Sequence, residues 1–452
     1  MMLVRPVAQA HKAAARQARS FFAGKASSLP QLAVDEEFPG VPKTQPVARK
    51  DAKVTTSTTS SGLKIASDAS DAYVATLGVE IAAGSSVERD ETAGLSQLFA
   101  KMAFRATETR SDLRLFRDIE AIGGVIHKSA GRDFVRYNIS VLPNQLDAAA
   151  EILAETTLAP RLALWDVDLM KEQVKIDAAI VAACSERTVY ENVHAAAFYD
   201  DVTLGRSPYA ADALAALTSD DLAAFHNEYV SNARLALVGS GVEHSTLTDI
   251  ANEFFAGLPA GSPAAKAPAK YVGGESRVKK AAKNTYVALG FETVGKKSAD
   301  YGASQVLKAL LTKRLNSKKA AGFLASYEDV GVVGFSGFAA PADAGALVDS
   351  FVAEIKKVAS AAPSAEELAA AKTLAALDAS DVIGSRQGKV ALLGAAAFAQ
   401  AAAKSPLATV DAVSAKAVQE LAQKALASRP SLASVGKLAA VPRLDAVISK
   451  LK

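Results

Sequence analysis

A chain of 452 residues, half of them hydrophobic and 22% charged, is long enough for two or three domains with their own cores. Aromatic residues make up only 6%, which argues against stacking platforms for nucleic-acid bases. The formal charge of +3 is set by the first segment: residues 1–34 hold Arg5, Lys12, Arg16, Arg19 and Lys25 and no acid, so the remaining chain is nearly neutral and gives no electrostatic reason to expect DNA or RNA.

On a helical wheel Arg5, Lys12, Arg16 and Arg19 cluster on one side, with Val7, Ala14, Ala18 and Phe21 on the other. A basic amphipathic segment without acids reads as a mitochondrial presequence. Acids begin at "DEE", 35–37, so cleavage is expected between Arg19 and Val34. Residues 35–61 read as an N-terminal extension. No membrane span is expected, since the most apolar late stretch, 390–403, is short and mostly alanine, whereas a span needs about 20 residues with more bulk.

From Gly62 strand and helix signals alternate. "AYVATLGVEI" (72–81) reads as a strand. In "ETAGLSQLFAKMAFRAT" (91–107), Leu95, Leu98, Phe99, Met102 and Ala103 recur at helical spacing and predict one buried stripe, with Gln97 and Lys101 on a neighbouring face beside Ala100. A helix follows from a Ser111 cap to Gly123-Gly124. In "DFVRYNISVL" (133–142), Val135, Tyr137, Ile139 and Val141 alternate with Arg136, Asn138 and Ser140, the period of a half-buried strand. Helices are expected near 144–157, 164–183, 186–201 and 219–230, then a strand at 234–242 and a helix at 244–255. The lone Cys184, in the apolar run "IVAACS", reads as a small buried hydrophobe.

Residues 259–276, rich in Pro, Ala, Gly and Ser, read as a linker. Beyond it the order repeats. "NTYVALGFET" (284–293) takes the place of 72–81, "GVVGFSGFAA" (331–340) that of 133–142, and the helix at 343–358 that of 144–157. Helices at 365–381 and 385–403 follow. The stretch 306–324 is basic and helical in period, and the lysine-rich 277–283 and 313–319 read as solvated faces. The expectation is an α+β fold of two homologous domains, 62–258 and 277–452, each a mostly antiparallel sheet flanked by helices.

The segments "GSSVERDETAGLSQLFAKMAFRATETRS", "IEAIGGVIHKSAGRDFVRYNISVLPNQLDAAAEIL", "ENVHAAAF" and "SPY" (207–209) resemble the pitrilysin-like zinc peptidases, whose motif is H-x-x-E-H. The resemblance runs from Gly62 to near the C-terminus and implies a duplicated metallopeptidase fold. It places Gln97 at the first His position, Ala100 at the Glu position, Lys101 at the second His position and Asp177 near the downstream acidic ligand. An amide oxygen binds zinc poorly and a protonated lysine repels it. Alanine cannot activate water, a role worth about 10²–10⁴-fold in rate. Asp177 by itself reads as a helix-surface or capping acid. The other histidines of the body, His127, His194, His226 and His244, form no H-x-x-x-H pair, and His194 reads as packed or hydrogen-bonded. The implied site is therefore degenerate, with no catalytic residue, no metal and no cofactor.

Two non-catalytic branches of that family are mitochondrial: the second core protein of the ubiquinol–cytochrome c reductase complex (complex III), and the alpha subunit of the processing peptidase. The latter is expected to carry a long glycine-rich loop in its second half. Here the only glycine pairs are Gly123-Gly124 and Gly273-Gly274, and the segment "VKIDAAIVAACSERTVYENVHAAAFYDD" is similar to the core-protein branch. That resemblance implies a scaffold, peripheral to the inner membrane on the matrix side. Its partners would be the first core protein, the haem-bearing b- and c-type cytochromes and the Rieske protein. A presequence peptide is a further expected ligand, in the cavity between the two core proteins.

Overall fold

The computed structural model describes residues 54–70, 73–198, 203–262, 269–315, 317, 319–399 and 406–452, all within one compact unit spanning 50–452. The presequence reading of 1–34 falls outside the described residues.

The fold rests on two mixed sheets. The first contains β1 (Val54–Thr58), β2 (Lys64–Asp68), β3 (Ala75–Ile81), β4 (Val125–Ala130), β5 (Val135–Val141) and β6 (Leu235–Ser240), in the order β1-β2-β6-β3-β5-β4. The second contains β7 (Glu275–Lys279), β8 (Thr285–Val294), β9 (Ala320–Ser326), β10 (Val330–Ala339) and β11 (Ser431–Gly436), in the order β7-β11-β8-β10-β9. Apart from the edge strand β1 the orders coincide. Each sheet has one parallel pair, β2 with β6 and β7 with β11, and is antiparallel elsewhere. The repeat legible in the sequence is thus a repeat of topology, with β3 answering to β8 and β5 to β10.

Among the described residues, fourteen helices surround the sheets: α1 (Leu95–Met102), α2 (Asp112–Ala121), α3 (Leu146–Leu158), α4 (Leu164–Ala183), α5 (Ser185–Phe198), α6 (Ser219–Tyr229), α7 (His244–Phe254), α8 (Tyr301–Leu315), α9 (Ala344–Ser360), α10 (Ala365–Gly384), α11 (Arg386–Ala399), α12 (Pro406–Asp411), α13 (Ala415–Ala427) and α14 (Leu444–Leu451). The first sheet buries Leu77, Val79, Ile81, Leu235 and Leu237 in a core shared with α1, α3 and α7. The second buries Val287, Leu289, Phe291, Val333 and Phe335 against α8, α9 and α13.

The opposite faces are closed reciprocally. Helix α5, from the first half of the chain, lies on the second sheet, where Val189, Val193 and Ala197 meet Ala288, Val332, Ala433 and Val435. Helix α11, from the second half, lies on the first sheet, where Val390, Leu393 and Ala397 meet Ala66, Ala236 and Val238. Glycines make the close approach possible. A Cβ on Gly78 of β3 would come within 2.8 Å of Val390, and one on Gly290 of β8 would meet Val332 at 2.7 Å and Val193 at 3.3 Å. On α11, a Cβ at Gly394 would lie 1.5 Å from Oε2 of Glu80. Glu80 is fully buried and receives both Nε and Nη2 of Arg136, its register partner on β5, at 3.0 and 2.7 Å.

Several expectations need correction. The helical period of 306–324 holds only to Leu315, because Ala320–Ser326 is drawn out as the edge partner of β10, a tertiary pairing that overrides local preference. The end of the expected linker is docked: Tyr271 is buried and its hydroxyl bonds Ser431 Oγ at 2.8 Å, while the Val272 amide reaches Ala197 O at 2.8 Å. Arg277, expected on a solvated face, belongs to β7 and donates to the carbonyls of Leu438, Val441 and Pro442. Arg314, in the second such stretch, pairs with Glu367 of α10 at 3.1 Å. Cys184 is exposed, since it caps the C-terminal end of α4 instead of lying on the helix's buried face.

Replacing Gly394 by alanine should therefore cost stability in both halves together. The added methyl has nowhere to go beside a carboxylate held by Arg136, and overpacking of this kind costs about 1–3 kcal/mol. The urea midpoint of Gly394→Ala against the wild-type chain measures it; an unchanged midpoint would mean that α11 is not seated on β3 as described.

Candidate functional site

Helix α1 begins at Gly94, whose φ of +92° and closeness to Ala210 O (2.6 Å from a built Cβ) exclude other residues. The buried carboxylate of Glu88 accepts the amides of Gly94 (2.9 Å) and Ser96 (2.7 Å), closing the free N–H groups of the first turn. Burial raises the Glu88 pKa, against the pull of those bonds and of Arg206. Arg206 in turn donates to Glu88 O and to Asp90 Oδ1. The stripe predicted from the sequence is buried throughout, with Phe99 edge-on to Phe225 at 5.2 Å and tilted against Tyr137 at 6.0 Å.

The face beside that stripe gathers the four positions singled out in the sequence, Gln97, Ala100, Lys101 and Asp177. Gln97 Nε2 donates to Ala130 O on β4 at 3.1 Å. Ala100 is buried. Lys101 Nζ lies 2.5 Å from Oδ2 of Asp177, which α4 brings across. The acid read from the sequence as a surface or capping residue is therefore the ion-pair partner of the lysine. From β4, Lys128 donates to Lys101 O (2.7 Å) and Ala103 O (2.8 Å) and caps the end of α1. Burial, then the charges of Lys101 and Arg105, bring the Lys128 pKa down to about 8. Sequence reasoning missed Glu88 and Lys128, because neither stands in a pattern that marks it as a cap for a helix to which it is not adjacent.

Chemically, this face has an amide turned to a backbone carbonyl, a methyl group, and a cation neutralised by the one carboxylate present. Among the described residues no three His, Cys, Asp or Glu side chains group closely enough to hold a metal ion. The histidines are dispersed. His226 Nε2 lies 2.8 Å from Thr157 O, and His244 bridges Ser57 and Ser67, each at 2.8 Å. His194 is fully buried on α5 among Tyr190, Phe198 and Tyr327, with Nδ1 at 2.8 Å from Tyr190 O and Nε2 unpartnered. Beside it, Arg132 pairs with Glu191 at 2.5 Å.

Residues 64–210 match the insulinase family (peptidase family M16), and residues 216–374 match the M16 inactive domain. The chain belongs to the M16 peptidase family. Among M16 relatives it is 29% identical over 409 residues to the mitochondrial cytochrome b-c1 complex subunit 2 of Mus musculus, covering 85% of this chain and 90% of that protein. The corresponding protein of Homo sapiens is 28% identical over 412 residues, with the same coverage. A probable mitochondrial-processing peptidase subunit alpha-1 of Arabidopsis thaliana is 27% identical over 461 residues, covering 95% of this chain and 91% of the relative.

Burial, then the charge of Arg132, hold the His194 pKa well below its ordinary value of 6.5. Above pH 6.5 both states leave the ring neutral and the stability is fully present. Below it the unfolded chain takes up a proton that the native chain refuses, so stability falls with falling pH, by up to about 1.4 kcal/mol per unit. In urea titrations at pH 7.5 and 5.5, wild type should lose more stability than His194→Phe; equal losses would show that this ring is not held neutral.

Proposed function

We propose that this chain is a non-catalytic core subunit of the mitochondrial ubiquinol–cytochrome c reductase complex (complex III), needed for its assembly and stability. The observation that carries the reading is the Lys101–Asp177 ion pair. It occupies the face of α1 where a hydrolytic relative would present ligands, in a chain similar along 85% of its length to cytochrome b-c1 complex subunit 2 proteins. Gln97, Ala100, Lys101 and Asp177 are read as the altered zinc-motif positions.

A scaffold needs a persistent shape, and here packing supplies it. Burial of Leu95, Leu98, Phe99 and Met102 contributes about 1.5–3 kcal/mol for each side chain and requires no metal. The exchange of α5 and α11 joins the halves through both sheets. Among the described residues no helix is long and apolar enough to cross a membrane, which is compatible with peripheral attachment. In this reading the chain sits on the matrix side and pairs with the first core protein. Together they contact the b- and c-type cytochromes and the Rieske protein, and a presequence peptide can occupy the space between the two core proteins.

A second reading, the alpha subunit of the mitochondrial processing peptidase, is favoured by the length of the match to plant alpha subunits. The shortness of the glycine runs, none longer than two residues, weighs against it.

Mild-detergent extracts of mitochondria, run on a native gel and probed for this chain, should give a band that coincides with haem stain. A small haem-free heterodimer instead would sink the complex III reading in favour of the peptidase subunit. The site assignment has its own test. The variant Gln97→His/Ala100→Glu/Lys101→His/Asp177→Glu should take up about one zinc per chain by elemental analysis, following the ligand count of such sites. A folded variant that gains none would show that these four positions do not align with the zinc motif.

A further inference from the structure

A pocket of about 310 Å³ opens where α5 of the first half meets the second sheet, lined by Tyr190, Lys296, Tyr301, Leu324, Ser326 and Tyr327. Its size is at the lower end of small-ligand pockets, about 300–1,000 Å³. The loop that carries Lys296 is pinned, since the Lys296 amide donates to Tyr327 O at 2.7 Å. The side chain is nonetheless solvent-exposed, although protein surrounds it closely enough to lower its pKa. That combination describes a cation on the wall of a concavity.

The neighbouring charges are mostly committed to one another. Arg136 is spent on Glu80, Arg132 on Glu191, and Lys297 next in the chain reaches outward to Glu328 at 2.5 Å. Glu80 and Asp133 lie near enough to favour the charged form of Lys296, yet its ammonium makes no ion pair or hydrogen bond among the described residues. The Ser326 hydroxyl is buried without a partner. Tyr190 and Tyr327 are held protonated by burial and can donate.

We propose that this pocket binds a small free oxyanion, a phosphate or compact organic carboxylate or phosphate, with Lys296 as its charge partner and the Tyr190, Tyr327 and Ser326 hydroxyls as donors. A charge-assisted bond from an ammonium to an oxyanion is about twice as strong as a neutral one, and phenol and serine hydroxyls supply the remaining lone-pair partners. The proposal rests on this geometry and holds whichever mitochondrial assembly contains the chain.

The test is a thermal-unfolding and calorimetric titration of the full chain with potassium phosphate, against potassium chloride of equal ionic strength. Phosphate should raise the midpoint of the wild type and bind measurably. Lys296→Met should weaken binding about tenfold or more, Tyr327→Phe by less, and Lys297→Met should leave it unchanged, with all three folded by circular dichroism. Absence of phosphate binding by wild type, or equal weakening by Lys296→Met and Lys297→Met, would overturn the proposal. Cosedimentation with anionic vesicles that depends on Lys296 would overturn the free-anion reading in favour of a lipid headgroup.

Discussion

Most of this structure depends on the reciprocal exchange of two helices. A sheet that packs helices on only one face leaves the other to water, and neither half of the chain closes its own second face. Helix α5 closes the second sheet and α11 the first, so each half completes its partner. Strands β3 and β8 are consequently buried on both sides, and their sequences show near-continuous apolar runs interrupted by Gly78 and Gly290 where the foreign helix presses in. The arrangement also explains a fully buried glutamate. Glu80 faces α11 rather than the main core, and the guanidinium of Arg136 on the adjoining strand compensates part of the cost of its burial.

The exchange has local fasteners. Lys389 of α11 reaches Asp68 of β2 at 3.3 Å, and Lys280, just beyond β7, donates to Ala182 O and Ala183 O at the end of α4. The Lys280 contacts are exposed and contribute little energy, whereas Asp68 is buried. These contacts orient helices whose seating is set by valine, leucine and alanine packing.

The same division between packing and chemistry governs α1. Its buried stripe and its caps, Glu88 at one end and Lys128 at the other, keep the helix in place without regard to what its neighbouring face displays. The Lys101–Asp177 pair keeps 29% and 37% of its side chains exposed. A pair so exposed contributes about 0–1 kcal/mol. Stability therefore does not require the ion pair. That independence lets an M16 fold persist as a scaffold.

How much was legible in advance divides along physical lines. Periodicity alone marked the α1 stripe, the Ser111-capped α2, the alternation of β5 and the repeated order of elements, because each is a local pattern of one chain segment facing one core. It was silent on β2, β4, β7 and β11, and misread β9 as helix, since short strands buried on both faces or pinned at an edge carry no clean alternation. Gln97, Ala100 and Lys101 stand close together in one line of sequence. That Asp177 answers Lys101 depends on α4 crossing α1, which no local pattern encodes. A helix's amphipathicity says which face it will bury but not against which sheet, so the exchange of α5 and α11, and the pocket beside Lys296 where α5 meets the second sheet, were decided only by tertiary packing.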